Sequence, residues 1–437
     1  MLKLTIDNSY SRIEGLAPDR FKALRKELSY EVDPQQAFYM GGHRAKTRTL
    51  LDPKGYFPTG LLARVKAFLG DVPITDARVV PTSTVNLELK LGNIIPYHAQ
   101  LLAMDAVITN PRGILSMPTG TGKSLVIALL LHTHQVRTLI IVPTLELKRQ
   151  LTESLTALFG PSAKKYLVIE NIDSSTLNKH ANFDMLIIDE GHHAAAKTYH
   201  KLNKAIWNKI YYRYFLTATP FRNQEHEQLL FEAIAGKVIY KLGYKDSVMK
   251  GYIVPVESYY IDLPKVKVSG VTWAQVYKEL VTQNEWRNGL ISALLRDFSR
   301  DKKATLCLVK EVAHGKLLSE ATGIPFANGA DDESRDYIRQ FNSGGIKVLI
   351  GTTGIMGEGI DSKPCEYVVI AGLGKAKSAF MQQVGRAVRT FKGKESAKVL
   401  LFRDASHKWS LTHFNEQAKI LKEEYDIVPT KLELESK

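Results

Sequence analysis

Cysteine is nearly missing from this chain: Cys307 and Cys365 are the only two. Two cysteines in apolar surroundings cannot form a disulfide framework, and no zinc spacing can be built from them. Buried free thiols in a reducing compartment are the expectation. No apolar run approaches 18 uninterrupted residues, which argues against a membrane-spanning helix. The first residues also lack the apolar core of a signal peptide. A cytoplasmic protein with no membrane partner follows as an expectation. Low-complexity segments and short internal repeats are absent too. Acidic residues are in deficit: 45 Asp and Glu stand against 59 Lys and Arg, for a formal net charge of +14. Such a balance favours an acidic partner, most often nucleic acid or an anionic membrane surface. The bland alternative is charge scattered for solubility.

What is present exceeds one core. With 437 residues and 44% hydrophobic content, two or three domains are expected. Residues 1–88 read as a small α+β domain. Leu2, Leu4 and Ile6 alternate like a strand, and 18–29 carries Phe21, Leu24 and Leu28 at helical spacing. Gly41-Gly42 suggests a hairpin with Arg44 and Lys46 on a basic edge, and Phe57-Pro-Thr-Gly-Leu-Leu opens a helix to Phe68. The basic hairpin is a candidate contact to duplex DNA or a branch point, although a solvated charged face explains it as well. Pro18-Asp19 with Glu88-Leu89-Lys90 imitates a nuclease constellation. The gap between them is long, and Pro-Asp is an ordinary helix start.

From about residue 89 strands alternate with helix-length segments, the pattern of a parallel sheet covered on both faces. The first series is Gly113–Ser116, Thr138–Val142, Tyr166–Glu170, Met185–Asp189 and Tyr214–Thr217. A second is Tyr259–Leu263, Thr305–Val309, Lys347–Gly351, Tyr367–Ala371 and Val399–Phe402. The expected domains are 89–243 and 244–408, followed by a helix and charged tail over 409–437.

Ile114 to Ser124 is strand, glycine turn and Lys-Ser before an apolar helix, the context of a phosphate-binding loop. Gly120 and Gly122 let backbone N–H groups turn inward, and the helix N-terminus adds positive potential. Lys123 would reach the β- and γ-phosphates, and Ser124 would ligate Mg²⁺. Met117 stands where the strict pattern has glycine. An ordinary glycine-rich turn is the alternative. Asp189-Glu190 ends a buried strand, where open α/β sheets bind ligands. Asp189 would hold Mg²⁺ and Glu190 would deprotonate the attacking water; solvated acids in a turn are the alternative. His192, His193 and His200 could be read as metal ligands, though surface histidines explain them better. Thr217 and Thr219 follow a strand, where hydroxyls can relay a change between sites. Arg386 and Arg389, three apart, are expected on one helical face, their guanidinium forks suited to phosphate.

Together these residues resemble the superfamily 2 helicases over roughly residues 91–405. Pro118, Thr119, Gly120, Thr121, Gly122, Lys123 and Ser124 match motif I, and Asp189 to His192 match motif II in a DEGH variant of DEAH. Thr217 to Thr219 match motif III and Gln382 to Arg389 motif VI. Pro143-Thr144 resembles motif Ia, Ser175-Thr176-Leu177 more weakly motif Ib, and Thr352-Thr353 with Gly359 and Asp361 motif V. Gln100, in Pro96-Tyr97-His98-Ala99-Gln100, is similar to the glutamine that recognises adenine, without the family's usual arginine and neighbouring tyrosine. This superfamily does not require glycine at the Met117 position.

The resemblance implies two tandem RecA-like parallel-sheet domains of the P-loop NTPase class after a small α+β domain. ATP and Mg²⁺ would be the cofactors. Arg386 and Arg389 would join Lys123, Asp189 and Glu190 in hydrolysis, Gly359 and Asp361 would touch nucleotide, and His192, Thr217, Thr219 and Gln382 would couple the γ-phosphate to movement. Pro143, Thr144, Thr176, Thr352 and Thr353 would contact the DNA backbone. Lys250-Gly-Tyr-Ile-Val-Pro255 and the Asn284–Asn288 segment look like the phage UvsW-like and XPB/RecG-like branch. That implies a monomeric, phage-encoded (T5-like) enzyme in the host cytoplasm that unwinds or branch-migrates forks and Holliday junctions, 3′ to 5′. An RNA helicase, a duplex translocase that does not unwind, and a non-hydrolysing ATP-gated clamp are the competing readings.

Overall fold

The computed structural model describes residues 2–31, 47–82, 86, 91–174, 177, 182–191, 197–218, 225–329, 332–354, 365–374 and 376–433. The chain divides into two compact units. One holds Met1–Met117 and Gly122–Leu242, the other Pro118–Thr121 and Gly243–Lys437. Among the described residues, no helix is long and apolar enough to cross a membrane.

The first unit begins with β1 (Lys3–Ile6) and β2 (Tyr10–Glu14), an antiparallel pair. β3 (Ser29–Glu31) and β4 (Thr47–Thr49) make a separate antiparallel pair. β5 (Tyr56–Pro58) and β6 (Ile74–Asp76) complete the small sheet β5-β2-β1-β6. The predicted hairpin tip, with Arg44 and Lys46, lies outside the described residues. Phe57 and Pro58 do not open a helix. They form an edge strand, where a residue without an N–H is tolerated, and the helix starts at Leu62 after a 3-10 turn.

This small sheet does not have its own closed core. Leu4, Ile6, Ile13, Phe57 and Val65 pack in one cluster with Leu229 and Ala233 of the helix Glu225–Ala235. The approach is tight enough to need glycine at 60, where a Cβ would stand 2.1 Å from the Glu232 carbonyl oxygen. Arg64 pairs with Glu232 at 2.5 Å. Deeper, the fully buried Arg213 guanidinium donates to Ser9 Oγ at 2.8 Å, to the Ile210 carbonyl at 3.1 Å, to Asn203 Oδ1 and to the Trp207 carbonyl. Burial among these dipoles holds its pKa well below the usual arginine range.

The large sheet of this unit is wholly parallel. Its strands are β7 (Arg112–Ser116), β8 (Thr138–Val142), β9 (Leu167–Asn171), β10 (Met185–Ile188), β11 (Tyr212–Thr217) and β12 (Val238–Lys241), in the order β12-β7-β11-β10-β8-β9. In β7, β8, β10 and β11 side chains alternate between two cores. Leu115, Ile140, Ile187 and Tyr214 enter one; Ile114, Leu139, Leu186 and Phe215 enter the other. Such strands read as continuous apolar runs because both faces are covered.

The second unit repeats the design with β13 (Val256–Asp262), β14 (Thr305–Val309), β15 (Phe326–Ala327), β16 (Val348–Thr352), β17 (Tyr367–Ile370), β18 (Ala397–Arg403) and β19 (Thr430–Lys431). The order is β15-β16-β14-β17-β18-β13-β19, and every pairing is parallel. Leu306, Leu349, Val368 and Val399 face one core, Cys307, Ile350, Val369 and Leu400 the other. The terminal segment is more than a helix and a tail, because Thr430 and Lys431 extend the sheet beside β13. Cys307 and Cys365 are both buried and free, and burial pushes each thiol up to about 12.

Candidate nucleotide site and nucleic-acid contacts

The strand order brings the chemistry of the first unit to one edge. β11 lies between β7 and β10, so Met117 at the end of β7 and the acidic pair after β10 flank the end of β11. Ser116 sits in register with Thr217, and the Met117 N–H donates to the Thr217 carbonyl at 2.9 Å. Thr217 is fully buried. One backbone therefore links the phosphate loop to the strand between it and the acids. Thr219 and His192, named with Thr217 as coupling residues, lie outside the described residues.

The loop has the required local conformations. Gly120 and Gly122 have φ of 90° and 81°, a region costly for residues with a Cβ. At Gly122 a Cβ would also stand 2.4 Å from Gln100 Nε2. Thr121 is buried, its hydroxyl donating to the Pro118 carbonyl at 2.8 Å. The helix Lys123–His134 starts at Gly122, whose carbonyl accepts the Leu125 N–H. Lys123 Nζ donates to the Met117 carbonyl at 3.4 Å. Ser124 is exposed at the helix start.

Gln100 is 1% exposed and spans two elements. Its Oε1 accepts the Tyr97 N–H at 2.8 Å, closing a capping box at the start of the helix His98–Thr109, and its Nε2 donates to the Gly122 carbonyl at 3.3 Å. The adenine-reading candidate thus holds the phosphate loop, a role its sequence context does not reveal.

Asp189 is anchored by its N–H to the Ile141 carbonyl at 3.0 Å. Its Oδ1 accepts the Glu190 N–H at 3.0 Å. Glu190 has φ of 48°, a left-handed conformation uncommon outside glycine, asparagine and aspartate. Backbone strain of this kind gathers at functional positions. Gly191 follows where a Cβ would meet Phe215 Cβ at 3.0 Å. The oxygen donors at hand, the Ser124 hydroxyl and the Asp189 carboxylate, suit a hard cation such as Mg²⁺. That ion is typically held by one or two protein oxygens together with phosphates and water. Among the described residues, no group of three or more His, Cys, Asp and Glu could hold a metal by itself.

In the second unit Gln382 and Arg386 lie on the helix Lys377–Ala387, and Arg386 is 5% exposed. Arg389 does not share that helical face. The helix ends at Ala387, and Arg389 makes an antiparallel bridge with Ile253. The Arg389 carbonyl accepts from Lys394 Nζ at 2.9 Å. Burial, with the Arg389 charge adding to it, lowers the Lys394 ammonium to about 8. Thr352 closes β16 and is buried, while Thr353 lines a cavity. Gly359 and Asp361 lie outside the described residues.

Of the DNA-contact candidates in the first unit, Thr144 caps the helix Leu145–Phe159 by accepting the Leu147 N–H at 3.3 Å. That bond leaves the hydroxyl proton for an outside acceptor. The Pro143 carbonyl accepts from Asn171 Nδ2 at 2.9 Å. Thr176 lies outside the described residues.

The comparisons with known proteins bear on the family and the fold. The family described as "Type III restriction enzyme, res subunit" matches residues 93–222, and "Helicase conserved C-terminal domain" matches residues 291–391. The chain is 24% identical over 449 aligned positions to the "ATP-dependent DNA helicase uvsW" of Enterobacteria phage T4, covering 90% of this chain and 88% of that one. It is 23% identical to the "DNA 3'-5' translocase XPB2" of Sulfurisphaera tokodaii, covering 66% of this chain and 77% of that one. The solved structure of S. cerevisiae Dbp5 bound to RNA and ADP BeF3 superposes with a TM-score of 0.56 at 18% identity, covering 77% of this chain and 90% of the other, and shares the fold. With two tandem parallel-sheet units and helicase families matching both, the chain belongs to the superfamily 2 helicases as a UvsW-like, ATP-hydrolysing member.

Proposed function

We propose that this helicase acts on DNA and that its substrates are branched: forks and Holliday-type junctions that it unwinds or branch-migrates, 3′ to 5′. The observation that carries the reading is the reach of the phage T4 relative, which covers 90% of the chain. That length is well beyond the two helicase regions, 93–222 and 291–391. In this reading Lys123, Ser124, Asp189 and Glu190 are the first unit's part in phosphoryl transfer, with Mg²⁺ on Ser124 and Asp189. Pro118 to Gly122 cradle the phosphates, and Gln100 keeps that cradle in shape. Arg386 and Arg389 are the second unit's part, neutralising charge on the transferring group, an effect worth about 10³–10⁵ in rate where such arginines act. Gly359 and Asp361 touch nucleotide. Thr217, with His192, Thr219 and Gln382, relays the phosphate state. Pro143, Thr144, Thr176, Thr352 and Thr353 hold the DNA backbone, and Arg44 and Lys46 meet duplex at the branch. Backbone contacts make binding salt-dependent and weak in sequence preference. A monomer in the cytoplasm is sufficient for all of this.

The test is ATP-dependent unwinding on forks, junctions and overhangs of both polarities, with RNA in parallel. Preference for branched DNA and 3′ overhangs is the expected result; equal activity on RNA, or 5′ polarity, refutes the proposal. Lys123→Ala and Glu190→Gln are expected to lose DNA-stimulated hydrolysis with the fold intact, and wild-type rates in either would refute the catalytic assignments. Deleting residues 1–88 is a poor probe of the N-terminal sheet, because it strips the cover from Leu229 and Ala233. Arg44→Ala with Lys46→Ala in the full chain is the cleaner variant.

A further inference from the structure

The second unit contains a cavity of about 520 Å³ that none of the nucleotide residues uses. It opens at the carboxyl ends of the parallel strands, the edge where open α/β sheets bind ligands. Lys310 follows β14, Thr353 follows β16, and Gly372 comes shortly after β17; all three line it. The rest of the wall is apolar: Leu308, Ile370, Leu373 and Phe380 line it together with the rings of Trp273, Trp409 and His413, and Gln383 adds an amide.

The aromatic wall is built to stay in place. Trp273 opens the short helix Trp273–Tyr277, fixed by a capping box between Thr272 and Gln275. Trp409 sits at the start of the helix Lys408–Ile420, where its N–H donates to His407 Nδ1 at 3.2 Å. The two indoles meet edge to face, with centroids 6.0 Å apart and planes at 87°. The His413 ring lies 4.5 Å from Trp273. All three aromatic residues are only half-buried. Positive charge lies in and beside the cavity: the lining Lys310 has its Nζ 5.4 Å from the centroid of Tyr277 behind the wall, and Lys408, outside the lining, has its Nζ 5.8 Å from the Trp409 centroid. The polar groups are hydroxyl and amide, Thr353 and Gln383, with Gln417 Nε2 already donated to the Gly374 carbonyl at 3.3 Å.

Flat aromatic faces, amide edges and flanking ammonium groups are the chemistry that recognises a nucleobase on a phosphate backbone. The volume falls in the usual range for a small-ligand pocket. An aliphatic ligand would have no use for the lysines, and a bare phosphate none for the indoles. We propose that this cavity is a base-binding pocket, in which a base of single-stranded DNA stacks on Trp273 with Trp409 against its edge, while Lys310 and Lys408 attract the adjoining phosphates. The proposal rests on the DNA-helicase reading and adds to it a grip on bases where that reading has contacts to backbone alone.

The experiment uses the full chain, an oligothymidylate and an abasic oligonucleotide of equal length, with affinity and tryptophan emission both recorded. Wild type is expected to bind oligothymidylate more tightly than the abasic strand and to lose emission only with the former. Trp273→Ala is expected to weaken oligothymidylate binding about fivefold to a hundredfold, the range of one base–aromatic stack, and to abolish the difference between the strands. Trp273→Phe, which keeps a ring and guards against a folding defect, should retain most of it. Equal affinity of wild type for both strands with unchanged emission would overturn the pocket and leave the helicase reading standing. Binding to neither strand would overturn both.

Discussion

Arg213 offers the sharpest test of how the N-terminal sheet is attached. Its guanidinium is fully buried, with no carboxylate in salt-bridge contact among the described residues, and it is satisfied by four acceptors: Ser9 Oγ, the Asn203 side chain, and the carbonyls of Trp207 and Ile210. The perturbation is Arg213→Met, which keeps a long apolar stem and removes every donor. Hydrogen bonds to a charged group contribute roughly 1.5–3 kcal/mol each. Four such bonds in one network are not additive, and removing the ion recovers several kcal/mol of desolvation. The Ser9 hydroxyl can still serve Asn203, 3.4 Å away, and the Trp207 carbonyl keeps the Ile210 N–H at 3.1 Å, so the buried Ile210 carbonyl is the acceptor that loses its partner. The balance is a loss of about 3–5 kcal/mol, a large share of the stability of an ordinary domain. For a unit of this size the melting midpoint should fall by about 6–20 °C. Calorimetry of the full chain reads this directly. Arg213→Lys should rescue little, because an ammonium cannot reproduce a planar fork reaching acceptors on several sides. A midpoint within about 2 °C of wild type would mean that desolvation cancels the bonds, and the attachment would then rest on apolar packing alone.

Two further outcomes follow from the site and the cores. Gly122→Ala forces a side chain into a left-handed position and against Gln100 Nε2; about 1–2 kcal/mol of strain should appear mainly as a raised KM for ATP, and unchanged ATP affinity would separate Gln100 from the loop. His134 and His314 are buried, and burial depresses them to about 4 and about 3. Their unfolded forms gain protons first as pH falls below about 6.5, so the stability they contribute is fully present above that pH and is lost on acidification towards their folded values. The expected loss is about 2 kcal/mol per histidine between pH 6.5 and 5. A urea midpoint flat over that interval would refute the buried neutral imidazoles.

Much of this was legible because parallel strands covered on both faces are apolar runs. Thr138–Val142 and Thr305–Val309 fall where the sequence places them. The acidic pair and the phosphate loop were legible for a related reason: chemistry at a strand end interrupts the apolar pattern abruptly. Contacts distant in sequence were not. Arg213 looks like a charge on a strand, and nothing local announces that Ser9 and Asn203 converge on it. Gln100 resembles a base reader because its neighbours in sequence do, while the Gly122 carbonyl it holds comes from another element. Arg389 follows Arg386 at helical spacing, yet pairing with Ile253 takes the backbone out of the helix. Trp273 and Trp409 read as scattered aromatics until the second sheet brings them to one edge. β15 and β19, two residues each, are too short to show a period.

The left-handed backbone at Glu190 carries a further consequence. Of the twenty side chains, glycine would relax that φ most cheaply, returning up to about 1 kcal/mol to the folded state. Selection for robustness alone would therefore drift away from glutamate at this position. A helicase that has lost its need to hydrolyse ATP should lose the carboxylate early, and the replacement would leave a sturdier protein that no longer moves.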